Sequence, residues 1–357
     1  MELGIIGLPQ TGKKTLFELL THHKPSEAEL SGNKPVKGVA EIKDPRFDAL
    51  VALYNPKKIT RARIDITLLP KIEREAISKG EVFKNILNVE AVCHVVRAFR
   101  DDTVYHESGS VDPKRDIDMV NSELLLNDML FVEKRLERIE QNLKRSRDGV
   151  VIKEREVLLK IKQQLDNSVP IRLLQFTNEE KKIIASYPFI TAKEMILVVN
   201  IADQNVNDKE LIEGMRSKYR SLGIDAIAIS AKLESEIAQL ETHEEKQEYL
   251  KELGVKEPAL DLLSRLCMKT LNLMSFFTVG SDEVKQWHIP IGSSAARAGG
   301  AIHSAIEKGF IRAEVMKYDD LIALGDEVKV KEAGKFYLKG KEYVVEDGDI
   351  MSMRFSG

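Results

Sequence analysis

The sequence has little of several features that would each indicate a particular class of protein. It contains two cysteines in 357 residues, which excludes a disulfide framework and a zinc cluster and fits a reducing compartment. It has no basic leader at its N-terminus and no apolar run near the roughly 18 residues of a membrane helix. Acidic and basic residues nearly balance, 57 against 54, which argues against bulk-charge binding to nucleic acid or membrane. These absences predict a cytoplasmic protein without a membrane partner.

Hydrophobic residues make up 43% of the chain, enough to build cores in two or three domains at roughly 100 to 200 residues each. Short apolar segments bounded by polar residues alternate with helical stretches, a pattern typical of an α/β fold with a mainly parallel sheet. The predicted strands cover residues 3–7, 39–42, 64–69, 91–96, 195–200 and 226–230.

Two other regions differ in composition and in hydrophobic pattern. Residues 119–168 form long, charged helical sequence with a break at 147–149, which predicts a helical hairpin. From residue 275, short strands punctuated by glycine predict a mixed α+β module, with one helix over 295–308. The predicted domains are therefore residues 1–118 with 169–274, then 119–168, and then 275–357.

The tip of the predicted hairpin is locally basic, because five basic residues outnumber Asp148 and Glu154 there. Such a tip is a candidate for contact with RNA phosphates, and the alternative is an ordinary solvated surface. The basic residues are Lys144, Arg145, Arg147, Lys153 and Arg155.

A phosphate-binding loop follows the first predicted strand and precedes a predicted helix. The segment satisfies the pattern G-x-x-x-x-G-K, in which backbone N–H groups surround a diphosphate and the lysine reaches the phosphates. The pattern fails at its last position, where Lys14 replaces the hydroxyl residue that binds Mg²⁺. The candidate phosphate-binding residues are Gly7, Pro9, Gln10, Thr11, Gly12, Lys13, Lys14 and Thr15.

Two motifs that bind the base in GTPases of this class follow later predicted strands. Asn200-Ile201-Ala202-Asp203 is similar to the Asn-Lys-x-Asp motif, with Ile201 in place of lysine, and Ser230-Ala231-Lys232 matches the last motif. These residues are the candidate base-binding set: Asn200, Asp203, Ser230, Ala231 and Lys232. No catalytic residue or metal ligand can be assigned from the sequence, because no carboxylate pair, nucleophile with base or ligand cluster has suitable spacing.

Several further stretches resemble the YchF, or Obg-like ATPase, family. They are residues 43–50, 94–102 and 111–117, and most of the C-terminal region, including Gly309-Phe310-Ile311-Arg312-Ala313, Glu332-Ala333-Gly334-Lys335 and Tyr343-Val344-Val345-Glu346-Asp347-Gly348. The resemblance covers essentially the full chain. It implies a P-loop G domain (1–118 and 169–274), a helical coiled-coil insertion (119–168) and a C-terminal β-grasp TGS domain (275–357). Family members bind ATP and GTP, hydrolyse them slowly and associate with ribosomes.

The chain departs from the family pattern at three places that concern Mg²⁺ and the γ-phosphate. Leu68 or Leu69 stands where the family has an aspartate, and Gly32 stands where it has a threonine. Val82 and Phe83 replace glycines after 78–81. Phosphoryl transfer in this class depends on Mg²⁺ and on closing switch segments, so the joint loss predicts weak or absent hydrolysis.

The resulting hypothesis is a degenerate GTPase that binds GTP, ATP or a diphosphate and acts as a ribosome-associated or RNA-associated regulator. The base preference leans to guanine, because the Asp203 carboxylate can accept both guanine N–H groups, although Ile201 removes the lysine that packs over the base. One alternative is a slow but active ATPase or GTPase in which Lys14 or Thr15 compensates. Another is a scaffold whose relic site is blocked by Lys14, Phe83 or the shortened switch. The oligomeric state stays open.

Overall fold

A computed structural model describes residues 1–31, 34–70, 72, 81–145 and 148–356. The chain divides into two compact units, which we call unit 1 (Met1–Gly38 and Asp65–Leu260) and unit 2 (Val39–Ile64 and Asp261–Gly357). Over the described ranges, no helix is both long and apolar enough to span a lipid bilayer.

The strands are β1 (Glu2–Ile6), β2 (Val36–Glu41), β3 (Lys58–Thr60), β4 (Arg63–Leu68), β5 (Ala91–Arg97), β6 (Glu194–Asn200), β7 (Ile224–Ile229), β8 (Leu273–Thr278), β9 (Glu283–Pro290), β10 (Phe310–Lys317), β11 (Tyr337–Lys339) and β12 (Asp349–Phe355). The α-helices are α1 (Lys13–Thr21), α2 (Glu27–Ser31), α3 (Pro45–Tyr54), α4 (Glu81–Ile86), α5 (Pro113–Leu143), α6 (Gly149–Asp166), α7 (Asn178–Ile184), α8 (Lys209–Arg220), α9 (Ala231–Gln239), α10 (His243–Glu252), α11 (Ala259–Thr270), α12 (Ala295–Ile302), α13 (Ser304–Lys308), α14 (Tyr318–Leu324) and α15 (Glu327–Glu332).

The first sheet has the strand order β2-β4-β1-β5-β6-β7. Its central pairs, β4 with β1, β1 with β5, β5 with β6 and β6 with β7, are all parallel, which confirms the α/β prediction. The central strands are almost wholly buried and rich in Val, Ile and Leu, as expected for parallel strands covered on both faces. Because the strands are parallel, β1, β5 and β6 all end at one edge of the sheet, where the candidate site lies.

The core of unit 1 buries one of the cysteines together with the central strands. Cys93 lies on β5 and is fully buried, and burial raises the pKa of its thiol to about 12. Cys267, in unit 2, is also buried, and it forms no disulfide with Cys93. The Cys93 thiol is therefore protonated and inert at neutral pH.

The predicted hairpin is present as α5 and α6. Asp112 caps α5 and Asp148 caps α6, each side chain accepting a backbone N–H of its own first turn, which satisfies donors that a helix start leaves unpaired. The two helices share an apolar core of their own, which includes Val132, Leu136 and Leu158. The first part of α5 packs instead in the core of the sheet, through Ile117, Val120 and Leu124.

Unit 2 contains a second sheet with the strand order β11-β10-β12-β8-β9-β3. Its edge strand β3 pairs parallel with β9, from Lys58↔Glu283 to Thr60↔Lys285. Packing therefore groups residues 39–64 and 261–274 with the C-terminal region, whereas the sequence suggested a boundary at 275. The three-domain division stays a prediction.

The prediction of one helix over residues 295–308 is wrong. The segment forms α12 and α13, separated by His303, whose backbone is extended (φ −161°, ψ 140°). The His303 side chain accepts the backbone N–H of Ala305 through Nδ1 at 3.2 Å. This side-chain cap starts a new helix at the point where the first one ends.

Candidate functional site

The glycine loop joins β1 to α1 and has the backbone geometry that its glycines predict. A Cβ on Gly7 would lie 2.5 Å from the Val95 carbonyl oxygen, and Gly12 has a φ of +90° with no room for a Cβ beside the Asn200 amide. Only glycine avoids both problems. Gln10 also adopts a positive φ of 59°, which is sparsely populated for a residue with a side chain. The loop therefore presents its backbone, rather than side chains, at the start of α1.

Lys13 is the buried cation of the loop. Only 9% of the residue is exposed, and its Nζ donates to the carbonyl oxygens of Gly7 at 2.8 Å and Leu8 at 3.2 Å. Thr11 braces the same loop, with its hydroxyl donating to the Leu8 carbonyl at 3.1 Å. The ammonium group therefore lies within the loop that the sequence assigned to phosphate, and it keeps a positive charge beside the start of α1.

Lys14 does not share this position. Its side chain is about half exposed and its Nζ lies 3.7 Å from Glu18, one turn further along α1. Thr15 instead borders the cavity described below. Pro9, next to Gln10 in the loop, is partly buried. The two neighbouring lysines thus differ in environment, since Lys13 is enclosed by the loop and Lys14 lies on the helix surface.

His94 lies behind the loop on β5, in register with Ile6 of β1 and Leu197 of β6. It is 1% exposed, and within the described ranges neither ring nitrogen has a hydrogen-bond partner. Burial, together with the nearby charge of Lys13, lowers the pKa of His94 to about 3. The ring is therefore neutral at physiological pH.

Asn200, the last residue of β6, connects the glycine loop to the base-side motifs. Its Nδ2 donates to the Thr11 carbonyl at 3.0 Å, and its Oδ1 accepts the Ala231 backbone N–H at 3.1 Å. Its own carbonyl accepts the backbone N–H groups of Ala98 and Phe99. Segments that are far apart in sequence therefore converge on this one buried residue.

Asp203 and the Ser230 loop form a hydrogen-bonded group beside Asn200. The Ser230 hydroxyl donates to Asp203 Oδ1 at 2.5 Å, and Lys232 Nζ lies 2.8 Å from Asp203 Oδ2. Ser230 also caps α9 by accepting the Leu233 N–H. Burial alone would raise the pKa of Asp203, but the hydrogen bonds from Lys232 and Ser230 and the Lys232 charge lower it below its ordinary value. Asp203 is therefore ionised and accepts at both oxygens.

A cavity of about 410 Å³ lies between the glycine loop and this group, within the usual size range of small-molecule sites. It is bordered by Gly12, Thr15, Phe99, Arg100, Asp101, Asn200, Ile201, Ala202, Asp203, Gln204, Ala231 and Lys232. The structure thus brings together Gly12, Thr15 and most of the predicted base-side residues around one space. Sequence reasoning missed Phe99, Arg100 and Asp101 as site residues. The feature that could have identified them is their position directly after the buried strand β5, at the sheet edge where the other motifs lie.

Among the described residues, the two positions that align with the aspartate of the family hold no carboxylate. Leu68 and Leu69 are buried apolar residues, and Phe83 packs in the core of the sheet. Gly32, residues 78–80 and the side chain of Val82 lie outside the described part of the structure. Among the described residues, no group of three or more His, Cys, Asp or Glu residues could hold a metal ion.

The hairpin tip is less basic than the residue count suggested. Lys153 pairs with Glu179, and Arg155 pairs with Glu140, so acids outside the tip neutralise them. Lys144 and Arg145 are exposed, and they make no ion pair with any residue that the structure describes. Arg147 lies outside the described ranges. Among the described residues of the tip, the cations without an acidic partner are therefore Lys144 and Arg145.

Comparison with known proteins identifies the family. A family model named YchF-GTPase_C, described as a protein of unknown function (DUF933), matches residues 273–356. A Bacillus subtilis protein named ribosome-binding ATPase YchF is 41% identical over 363 residues, covering 99% of this chain and 98% of the relative. The chain belongs to the YchF family. The resemblance inferred from the sequence is confirmed.

Other members of the YchF family match over similar lengths. Obg-like ATPase 1 of Caenorhabditis elegans is 35% identical, covering 100% of this chain and 92% of that relative. The solved structure of the Schizosaccharomyces pombe YchF GTPase superposes with a TM-score of 0.82 at 31% identity, covering 99% of this chain and 97% of that one. The YchF fold therefore extends over the whole described chain.

Proposed function

We propose that the chain binds a purine nucleotide, ATP or GTP or the corresponding diphosphate, in the cavity of unit 1. We propose further that it acts in the cytoplasm as a ribosome-associated or RNA-associated regulator. The observation that carries the proposal is that the glycine loop and both base-side motifs meet at one cavity through Asn200. The names of the relatives, ribosome-binding ATPase and YchF GTPase, support both parts.

The two ends of the nucleotide would occupy chemically different ends of the site. The phosphates would lie at the start of α1, where backbone N–H groups and Lys13 favour anions. The base would lie near Asp203 and Ala231, where backbone and side-chain groups can read its edge. Phe99 borders the same space and offers an aromatic face for stacking.

Hydrolysis is proposed to be weak or absent. Lys14 holds the position of the hydroxyl that binds Mg²⁺ and pairs with Glu18, while Leu68 and Leu69 supply no carboxylate. Without these groups the chain has little with which to stabilise charge on a transferring phosphoryl group. The scaffold alternative predicted a blocked pocket, and Phe83 and Lys14 do not support that, because Phe83 is in the core and Lys14 lies on the helix surface.

A preference for adenine has one specific observation in its favour. Guanine reading requires an aspartate to accept two N–H groups of the base, and both oxygens of Asp203 already accept from Ser230 and Lys232. Ile201, in place of the usual lysine, is buried. The relatives named as ATPases agree with a preference for adenine. The sequence alone had favoured guanine, because of the Asp203 carboxylate.

Calorimetric titration of the full chain with ATP, GTP, ADP and GDP, each with and without Mg²⁺, tests the nucleotide part. We expect binding that Mg²⁺ changes by less than about threefold, since the phosphates would be held mainly by backbone and Lys13. A multiple-turnover phosphate-release assay on the same sample should stay near background. Absence of binding by every nucleotide would overturn the proposal, and rapid Mg²⁺-dependent turnover would overturn its hydrolysis part.

The predicted insertion (119–168) and the predicted TGS domain (275–357) are proposed to make the partner contacts, with the hairpin tip touching rRNA phosphate. Reversing Lys144 and Arg145 to glutamate should weaken ribosome co-sedimentation about tenfold at moderate salt, because phosphate contacts dominate such binding. The control reverses Lys251 and Lys256, two exposed lysines on and just after α10, a helix that packs with α9. Equal loss in both variants would remove the tip from the proposal.

A further inference from the structure

Arg97 is a fully buried cation at the end of β5, next to the candidate site. It is 1% exposed and pairs in register with Asn200 of β6. It makes no ion pair within the described ranges. A buried guanidinium without a carboxylate partner is costly unless its donors are satisfied in another way.

The donors of Arg97 are satisfied by main-chain carbonyls of the loop that follows. Nε donates to Phe99 O at 3.2 Å, Nη2 to Asp101 O at 3.0 Å, and Nη1 to Val104 O at 3.0 Å and Tyr105 O at 3.4 Å. The planar fork of arginine suits such convergent acceptors, whereas a lysine ammonium could not reach them all from one point. One side chain therefore fixes the course of residues 99–105.

The same guanidinium also orients Phe99. Its Cζ lies 4.6 Å from the centre of the Phe99 ring, a cation–π contact in a desolvated place. The backbone N–H of Phe99 donates to the Asn200 carbonyl, which ties the start of the loop to the residue that holds the glycine loop. Further along, the Asp101 carboxylate accepts from the Thr103 N–H and hydroxyl, which makes the turn compact.

We infer that Arg97 is a positioning residue for the nucleoside part of the site. It holds the wall formed by Phe99, Arg100 and Asp101 against the opposite wall at Asn200 and Asp203. The inference rests on the proposed nucleotide binding. Arg97 itself does not border the cavity, so its effect would be on the geometry of the wall and not on direct contact with a ligand. The phosphate end, built by the glycine loop and Lys13, does not use this wall.

The experiment compares two ligands on the full chain: ATP, which needs the whole site, and inorganic tripolyphosphate, which needs only the phosphate end. Arg97→Met should weaken ATP binding about tenfold or more and leave tripolyphosphate binding within about twofold, because only the wall loses its order. Arg97→Lys, which keeps the charge without the fork, should give a smaller loss of ATP affinity and covers the case in which the methionine variant does not fold.

The control is Arg172→Met. Arg172 is a partly buried arginine of unit 1 that also donates to main-chain carbonyls, those of Leu222, Thr191 and Lys193, and desolvation lowers its pKa to about 10. It lies outside the cavity wall. Its removal should cost stability, as removal of Arg97 does, without changing the ratio of ATP affinity to tripolyphosphate affinity.

The outcomes separate the inference from the function on which it rests. Wild-type protein that binds neither ligand overturns the proposed function and the inference with it. Wild-type binding of both ligands, with the ratio unchanged in both Arg97 variants, overturns the inference alone. A shifted ratio in the Arg97 variants and an unchanged ratio in Arg172→Met supports it.

Discussion

The two ends of the candidate site are built in different ways. The phosphate end consists of backbone shaped by Gly7 and Gly12 and of one enclosed cation, Lys13. The base end is a network of side chains in which Asn200 and Asp203 bond to neighbouring loops. Backbone geometry is set by local sequence, whereas a side-chain network depends on parts far apart in the chain. Substitution should therefore abolish binding at the first end and change selectivity at the second.

The largest expected effect is that of Lys13→Ala. Loss of the buried ammonium should weaken binding of every nucleotide and of tripolyphosphate about a hundredfold, since a desolvated cation interacts strongly with phosphate. The matched variant Lys14→Ala removes a surface charge already paired with Glu18 and should change affinity less than about threefold. Calorimetry on both variants measures this. Comparable losses would mean that the two lysines share the phosphate end.

A smaller effect is expected from Gly12→Ala. Gly12 has a φ of +90°, and an added Cβ would collide with the Asn200 amide. The free energy of unfolding, measured in urea, should therefore fall by about 1–3 kcal/mol. Gly149→Ala is the control, because nothing lies within 4 Å of its Cβ position and it begins α6. That variant should be unchanged or stabilised by up to about 1 kcal/mol. Similar curves for the two variants would contradict the proposed packing of the loop on Asn200.

The third prediction concerns pH and the neutral ring behind the phosphate end. Below about pH 6.5 the unfolded chain protonates His94, whereas the folded chain keeps it neutral down to about pH 3. Its contribution to stability is therefore lost as pH falls through this range. Between pH 6 and 5, the free energy of unfolding of the wild type should fall by about 1 kcal/mol more than that of His94→Leu. Urea unfolding at these values measures it, and parallel pH profiles would show that His94 does not contribute.

The smallest effect should come from Asp203→Asn at the base end. The Asp203–Lys232 pair is largely exposed on the lysine side, so stability should change by less than about 1 kcal/mol. GTP is the less favoured ligand, and it can use Asp203 as an acceptor only by displacing Ser230 and Lys232. Its remaining affinity should therefore fall by about threefold to tenfold in the variant, whereas ATP affinity should stay within about twofold. Competition between the two nucleotides on one sample gives the ratio directly. An equal fall in the affinities for GTP and ATP would show that Asp203 has a structural role and does not recognise the base.

The features that could be predicted from the sequence are those set by neighbouring residues. The glycine loop needs its glycines and Lys13 within a few positions, and the apolar segments mark the parallel strands, so both were found. The two base-side segments were recognised by their residue patterns and by their places after buried strands, and their contact with a base stays a prediction. The contacts of Asn200 with Thr11 and Ala231 could not be predicted, since they depend on how the strands are placed side by side.

The features that were missed depend on distant partners or on a single residue. Strand β3 has only three residues, Lys58–Thr60, and pairs with β9. Although Ile59 and Thr60 favour strands, the segment is too short for an alternating pattern to indicate one. The break between α12 and α13 comes from His303 acting as a cap, and histidine is not among the residues that usually cap a helix start. Acids elsewhere in the sequence neutralise two cations of the hairpin tip, so counting charges near the tip overestimated its basic character.

Helix α5 links the core of the first sheet to the helical hairpin. It is one continuous helix of 31 residues whose first part is embedded in the sheet core and whose last part belongs to the hairpin core. Between them, the buried carboxylate of Asp128 accepts the N–H groups of Ile190 and Thr191, and these bonds hold the middle of the helix in place. At a rise of about 1.5 Å per residue, a tilt of about 5° there would displace Leu143 by about 2 Å. Asp128 lies 15 residues from each end of the helix, so such a tilt would transmit a shift beside the sheet to the tip at about the same size.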